Sequence, residues 1–256
     1  MGKLKVGAMV ESFRLGVMDG LDKAAELGLD GVQIYCTRGE LHPDNMSQSG
    51  RRDFKKTLAD RSLTLSALCA DFGKGFTDAD RNDELVPVTK KCVDLAVDLG
   101  TPVITTHIGV IPDDTADPVR DVMADALKDL GDYAVSHEVS FATETGPESP
   151  ECMRGFLDAL GSEGIRVNYD PANLTMRKFD AIGGVAILSD LIVHTHAKDG
   201  RRGGGEMALG EGDVDWEAYI AALESAGFDG FYTIEREVGD NPAEDIRTAA
   251  EFLRGF

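Results

Sequence analysis

Four residues in the second half of the chain stand at or near the ends of four apolar runs. Glu144 closes residues 140–144, Asp170 closes 166–170, His196 is next to last in 191–197, and Glu235 closes 230–235. In a strand, alternate side chains share a face, so residues two apart are assigned together. One set is Ala142 with Glu144, Asn168 with Asp170, His194 with His196, and Thr233 with Glu235. The other set, Phe141 and Thr143, Val167 and Tyr169, Val193 and Thr195, Tyr232 and Ile234, is mostly apolar and suits packing under helices. The polar set therefore points into the enclosed centre of whatever sheet these runs build. Three carboxylates converging there as bare charges would repel strongly at low dielectric. A divalent cation removes that penalty. Three oxygens and one nitrogen, with room for water or substrate, suit one Mn²⁺, Mg²⁺, Co²⁺ or Zn²⁺ ion, and the oxygen majority favours Mn²⁺. A single acid or histidine at a strand end is ordinarily a helix cap or a solvated loop residue. Four from four successive runs are not.

The elements that must position them follow from the rhythm of the chain. Apolar runs at 5–10, 31–36, 63–69, 103–107, 140–144, 166–170, 191–197 and 230–235 alternate with segments of helical period such as 19–27, 84–99, 117–136, 151–160, 216–226 and 242–253. Eight of each are expected. Such alternation implies a parallel sheet, because each return to a parallel neighbour needs a crossover helix. Eight units in 256 residues give about 32 residues each, which fits a closed (β/α)₈ barrel in a single domain over residues 1–256. The first run leads into Glu11-Ser12-Phe13-Arg14 without the glycine-rich turn of a dinucleotide site. Glycines at 28, 100, 161 and 227 read as helix ends. The glycine-rich loop 199–215 follows the seventh strand, where barrels of this type carry their active sites, and reads as a substrate-covering loop.

Composition sets the outer limits. With 46 acidic against 26 basic residues the formal net charge is −20, which disfavours nucleic acid and anionic membrane surfaces as partners. No apolar run approaches the ~18 residues of a membrane span, and the segment MGKLKVGAMVESF lacks a secretory signal's apolar stretch, so a cytoplasmic location is expected. Cys36, Cys69, Cys92 and Cys152 contain no CxxC pair and read as buried thiols.

The motifs Glu144-Thr-Gly, Asn168-Tyr-Asp170-Pro-Ala-Asn173, His194-Thr-His196-Ala-Lys198-Asp199, Gly210-Glu-Gly-Asp-Val-Asp215-Trp216 and Thr233-Ile-Glu235 are those of a family. The chain resembles the xylose isomerase-like TIM-barrel superfamily of sugar isomerases and epimerases along essentially its whole length. The resemblance implies Glu144, Asp170, His196 and Glu235 as metal ligands, in agreement with the strand parity. In its ketose 3-epimerase branch the two glutamates also exchange a proton with carbon on opposite faces of the substrate. Carried over, Glu144 and Glu235 become the acid/base pair of a metal-dependent epimerase or isomerase working through a cis-enediolate on a small ketose or related polyol-carbonyl. Two positions depart from that pattern: Asn173 stands where the epimerases carry a histidine, and Gln33 where many relatives place a glutamate. Both bear on the substrate and leave the metal core intact. Arg202, six residues after His196, matches a substrate-contacting arginine, with a solvated loop residue as the competing reading.

His107, ending the fourth run, is expected to meet a sugar hydroxyl, and Lys198 and Asn173 to contact substrate. His194, one layer below His196, and Asp199 are expected to orient ligands from behind. Glu148 and Glu151 read as acidic residues placed at a helix N-terminus, and Trp216 as helix-start packing. Apurinic endonucleases of the same superfamily need more histidines than the five present, one of them at Asn173. An inosose-type dehydratase and a non-catalytic sugar-binding barrel stay open as alternatives, as does homo-oligomerisation.

Overall fold

β-Branched and apolar runs such as Val103–Thr106 and Gly31–Tyr35 become strands, and the longer amphipathic segments become the helices that cover them. The computed structural model describes residues 3–256; Met1 and Gly2, which open the segment read for a targeting signal, lie outside them. The barrel strands are β1 (Lys5–Met9), β2 (Gly31–Tyr35), β3 (Thr64–Cys69), β4 (Val103–Thr106), β5 (Ser140–Glu144), β6 (Ile165–Tyr169), β7 (Ile192–Ala197) and β10 (Phe231–Ile234). They pair in parallel and in chain order, and β1 closes on β10. The closed eight-stranded barrel expected from the repeat is the one observed.

The helices are α1 (Val17–Glu26), α2 (Gln48–Asp60), α3 (Ala79–Leu99), α4 (Pro118–Ser136), α5 (Pro150–Leu160), α6 (Pro171–Met176), α7 (Gly183–Leu188), α8 (Trp216–Ser225) and α9 (Pro242–Leu253). Six of them start on a side-chain cap, from Ser47, Asp78, Asp117, Ser149, Asp170 and Asp215. The sixth crossover is two short helices, α6 and α7, where one was expected. The other addition is a hairpin, β8 (Asp199–Gly200) with β9 (Glu206–Met207), inside the glycine-rich loop.

The main apolar core lies between the sheet and the helix ring, where Phe141, Val167, Tyr169 and Ile234 pack outward as the parity required. Val193 does not follow it. The register slips between Val167 and Asn168, so that Val167 pairs with Ile192 and Asn168 with His194. Val193 is the extra residue of that bulge and packs on Ala67, Val103 and Ala142, a small apolar cluster inside the barrel. Polar side chains stand above this plug, including Gln33, Thr105, Asn168, His194 and Thr233, all buried. Of the four cysteines, Cys152 is half-buried and the other three are buried. No helix among the described residues is long and apolar enough to cross a membrane.

Candidate metal centre

Glu144 is the last residue of β5, Asp170 follows β6, His196 lies in β7 and Glu235 follows β10. All four are buried, and one ligand atom from each lies within 4.8 Å of the other three. His196 Nδ1 sits 3.3 Å from Glu235 Oε2, 3.5 Å from Glu144 Oε1 and 3.7 Å from Asp170 Oδ2. Asp170 is fixed by its own helix cap: Oδ1 accepts from the Asn173 N–H at 2.9 Å, which leaves Oδ2 facing the cluster. Asp170 Oδ2 and His196 Nδ1 are both buried with no hydrogen-bond partner. Buried polar atoms are ordinarily satisfied, so two such orphans aimed at one point fit a cation-binding role. The residues present therefore fit the divalent ion that the donor set implied.

Two amide side chains stand behind the imidazole. His196 Nε2 is 3.1 Å from Gln33 Oε1, an acceptor, and 3.2 Å from Asn168 Nδ2; with its proton on Nε2 and given to Gln33, the Nδ1 lone pair would be free to ligate. The Gln33 amide in turn donates to Thr105 Oγ1 at 3.0 Å. Beneath, His194 stacks edge-on against His196 with ring centroids 5.8 Å apart, and Thr233 Oγ1 lies 3.4 Å from its Nε2. Burial pushes the His194 imidazole down to about 3, so it is neutral at physiological pH and adds no charge below the ligands.

The two glutamates sit in unlike surroundings. Glu235 accepts a hydrogen bond from Lys198 Nζ at 2.9 Å. Burial alone would raise its carboxyl, but His196 and Lys198 hold it well below the usual carboxylate range. Glu144 accepts from Asn173 Nδ2 at 2.8 Å on Oε1, and Asn168 Nδ2 lies 3.4 Å from its Oε2. Burial again pushes upward, and His196 with His107 outweighs it. Asp170 is raised, mainly by burial. His107 Nδ1 lies 2.7 Å from Asp71 Oδ2, while its Nε2 is 3.6 Å from Glu144 Oε1. The Glu144 carboxylate, helped by Asp71, raises that imidazole to about 9 against the opposing effect of burial.

Two cavities lie near the centre. One, of about 620 Å³, has Glu235 on its wall with Tyr35, Arg38 and Asp71. The other, of about 600 Å³, is lined by His107, Gly146, Asn173 and Gly204 beside Glu144.

Several expected contacts fall elsewhere. Lys198, expected to contact substrate, is buried with its ammonium paired to Glu235 and Glu237 and with Asp170 Oδ2 at 3.9 Å. Arg202 is exposed and its guanidinium donates to the carbonyls of Lys178 and Phe179, away from the cluster. Asp199 turns its carboxylate into the loop, accepting from the N–H groups of Gly200, Gly210, Gly212 and Val214 and from Trp216 Nε1 at 3.0 Å. Those contacts organise the loop. Trp216 packs at the start of α8 and also holds Asp199. Glu151 lies in the first turn of α5 as expected, but Glu148 is buried with Oε2 unpartnered.

Asp71 was missed from the sequence although the same parity, extended from Ala67 through Cys69, places it on the inward face. Gln33 stood out as a departure from the family pattern. That its side chain meets His196 Nε2 is visible only in the fold.

A family model described as a xylose isomerase-like TIM barrel matches residues 21–256. The chain belongs to the xylose isomerase-like TIM-barrel family. Among family relatives it is similar to the L-ribulose-5-phosphate 3-epimerase UlaE of Salmonella paratyphi C, 25% identical over 251 residues, covering 93% of this chain and 88% of that protein. A solved xylose isomerase domain protein from Planctomyces limnophilus superposes with a TM-score of 0.86 at 26% identity, covering 99% of this chain and 96% of that one. A xylose isomerase-like TIM-barrel protein from Mycobacterium smegmatis, solved in complex with magnesium, shares the fold at a TM-score of 0.79 and 16% identity, covering 100% of this chain and 98% of that one.

Proposed function

We propose that this chain is a divalent-metal-dependent sugar epimerase or isomerase acting on a small carbohydrate with a carbonyl beside the reacting carbon. The observation that carries this reading is the pair of buried orphan atoms, His196 Nδ1 and Asp170 Oδ2, facing Glu144 and Glu235. Similarity to an L-ribulose-5-phosphate 3-epimerase supports it. Glu144, Asp170, His196 and Glu235 would hold the ion, and three oxygens with one nitrogen suit Mn²⁺. When bound, such an ion supplies a Lewis acid for the negative charge that develops on substrate oxygen.

The chain's own residues supply the proton movements. Glu235, kept ionised by Lys198, takes the carbon-bound proton from the side of the cavity it shares with Tyr35 and Asp71. Glu144, held by Asn173 Nδ2, receives a proton from the protonated His107 imidazole 3.6 Å from its Oε1 and passes it to the opposite side of that carbon, while Glu235 releases the abstracted proton to solvent. His107, fixed by Asp71 through Nδ1, presents Nε2 to a substrate hydroxyl. Two carboxylates addressing one carbon from two sides invert it.

The test is exchange of carbon-bound hydrogen for deuterium in D₂O, read by NMR across a ketose panel with Mn²⁺ present and after chelation. Metal-dependent exchange with a new epimer or isomer is expected. Exchange accompanied by loss of water would replace this reading with a dehydratase, and binding without exchange would replace it with a sugar-binding barrel.

A further inference from the structure

The two cavities near the reacting centre differ in charge. The one that holds Glu235 also has Glu11, Asp71 and Glu237 on its walls. Among the described residues, the one beside Glu144 has no carboxylate on its walls and carries the basic side chains of His107 and Arg177. In a chain of net charge −20 such a surface is a local exception. Asn173 and His107 belong to that wall and also reach Glu144 Oε1, at 2.8 and 3.6 Å, so this cavity adjoins the centre. Arg177 follows α6, and its exposed guanidinium has no hydrogen bond or ion pair among the described residues. The backbone around it is pinned by the loop after β7. The Gly203 N–H donates to the Met176 carbonyl at 3.1 Å, and the Arg202 guanidinium donates to the carbonyls of Lys178 and Phe179. The approach is close, since Gly203 has a φ of +69° and a Cβ there would lie 2.4 Å from Lys178 Cε. Arg202, expected to meet substrate, thus fixes the segment that presents a different arginine to the cavity.

We propose that the substrate carries an anionic group, a phosphate monoester or a carboxylate, at the end that lies in the cavity beside Glu144, and that Arg177 is the residue that selects it. The proposal rests on the epimerase or isomerase reading above and names its substrate class, a ketose phosphate or a keto sugar acid. Either keeps the carbonyl that the proton transfer requires. The neutral hydroxyls of such a molecule fall in the other cavity, whose carboxylates accept hydrogen bonds from hydroxyls and repel an anion. A guanidinium pairs with phosphate or carboxylate through charge-assisted and often bidentate hydrogen bonds, which offsets the unfavourable field of the chain as a whole. Because the backbone that carries Arg177 is already held, binding does not have to order it.

Calorimetry on the chain supplied with Mn²⁺ tests this with six probes: D-fructose and D-tagatose, each beside its 6-phosphate and its uronate. For at least one of the two sugars an anionic form is expected to bind about tenfold tighter or more than its neutral parent. A preference for the 6-phosphate identifies the anion as a phosphate monoester, and a preference for the uronate identifies it as a carboxylate. In Arg177→Ala the preferred anionic form falls to within about threefold of its parent, while the parent's affinity is unchanged. Arg177→Lys, which keeps the charge but loses the planar fork, retains part of the preference. Neutral parents that bind as tightly as their anionic forms, binding of none of the six, or a preference that survives Arg177→Ala would overturn the proposal. So would an Arg177→Ala variant that weakens neutral and anionic forms equally, since Arg177 would then act on the shape of the site and not on the anion. The two readings fail separately. A chain that shows the Arg177-dependent preference but exchanges no carbon-bound hydrogen loses the proposed reaction, and one that exchanges hydrogen on neutral ketoses without that preference loses only the anionic subsite.

Discussion

At the scale of single residues, chemistry is divided between groups that reach into the centre and groups that hold them. Glu144→Gln and Glu235→Gln keep shape and hydrogen bonding while removing the base, so each is expected to lower turnover at least ~100-fold with an unchanged circular dichroism spectrum. Near-normal turnover in either variant would remove the two-base mechanism. Gln33→Leu deletes the acceptor for His196 Nε2–H, and the expected loss is about 10- to 100-fold in metal affinity, measured by competition with a chelator. Unchanged affinity would mean that Gln33 does not set the tautomer. Glu148 gives a pH dependence of the opposite kind to a salt-bridged acid. Burial pushes its carboxyl from 4.5 up to about 7, so over that window the folded chain binds more protons than the unfolded one. Its stability contribution is therefore best at acid pH and is lost as pH rises through about 7. Glu148→Gln is expected to be close to neutral at pH 4.5 and stabilising by on the order of 2 kcal/mol at pH 8, by denaturant titration at both values. Equal effects at the two pH values would show that Glu148 does not titrate in this way.

At the scale of elements, the loop after β7 is a built wall, where its glycine content alone suggests a flexible cover. Five N–H donors end on the Asp199 carboxylate, and Arg236 ties the β8–β9 hairpin to the end of β10 through Glu206 at 2.6 Å. The glycines serve close approach here. A Cβ at Gly212 would sit 2.0 Å from Asp199 Oδ1. Asp199→Ala leaves buried donors unmet and is expected to cost about 3 kcal/mol or more, with loss of amide exchange protection concentrated in residues 200–215. Protection unchanged across that stretch would show the loop to be held by something else. The same scale explains Val193. Alternation is a rule for regular strands, and the bulge between β6 and β7 moves one residue to the other face without any signature in residue type.

At the scale of the whole molecule, the four candidate ligands lie in or directly after β5, β6, β7 and β10, so a bound cation would clasp half of the barrel's strands at one end. Binding to the folded state alone stabilises by about 4 kcal/mol at a thousandfold excess over Kd, on the order of 10 °C in Tm for a chain of this size. Chelation is expected to lower Tm and Mn²⁺ to restore it, with no response in Asp170→Asn. A Tm indifferent to both would count against a metal centre. Most of the −20 charge lies outside this centre, where it favours solubility and repels polyanions. Three acids of the 46 are gathered at one point, where Lys198 and His196 offset part of their repulsion and a divalent cation would offset the rest.

Sequence alone determined the repeat, the closed barrel and the four converging side chains, because strand period and crossover length are local properties that residue order displays directly. Glycines 28, 100, 161 and 227 likewise marked helix ends, and all four adopt positive φ. Tertiary structure decided what each neighbouring polar group faces. Lys198 turned from substrate to Glu235, Asp199 from the ligands to its loop, and Arg202 to the carbonyls of 178 and 179. Asp71 with His107, and Gln33 with His196, meet across 36 and 163 residues of chain. The physical reason is range. Periodicity fixes which face of an element a side chain occupies, but a hydrogen bond depends on a partner within about 3 Å, brought there by barrel closure from a distant part of the sequence.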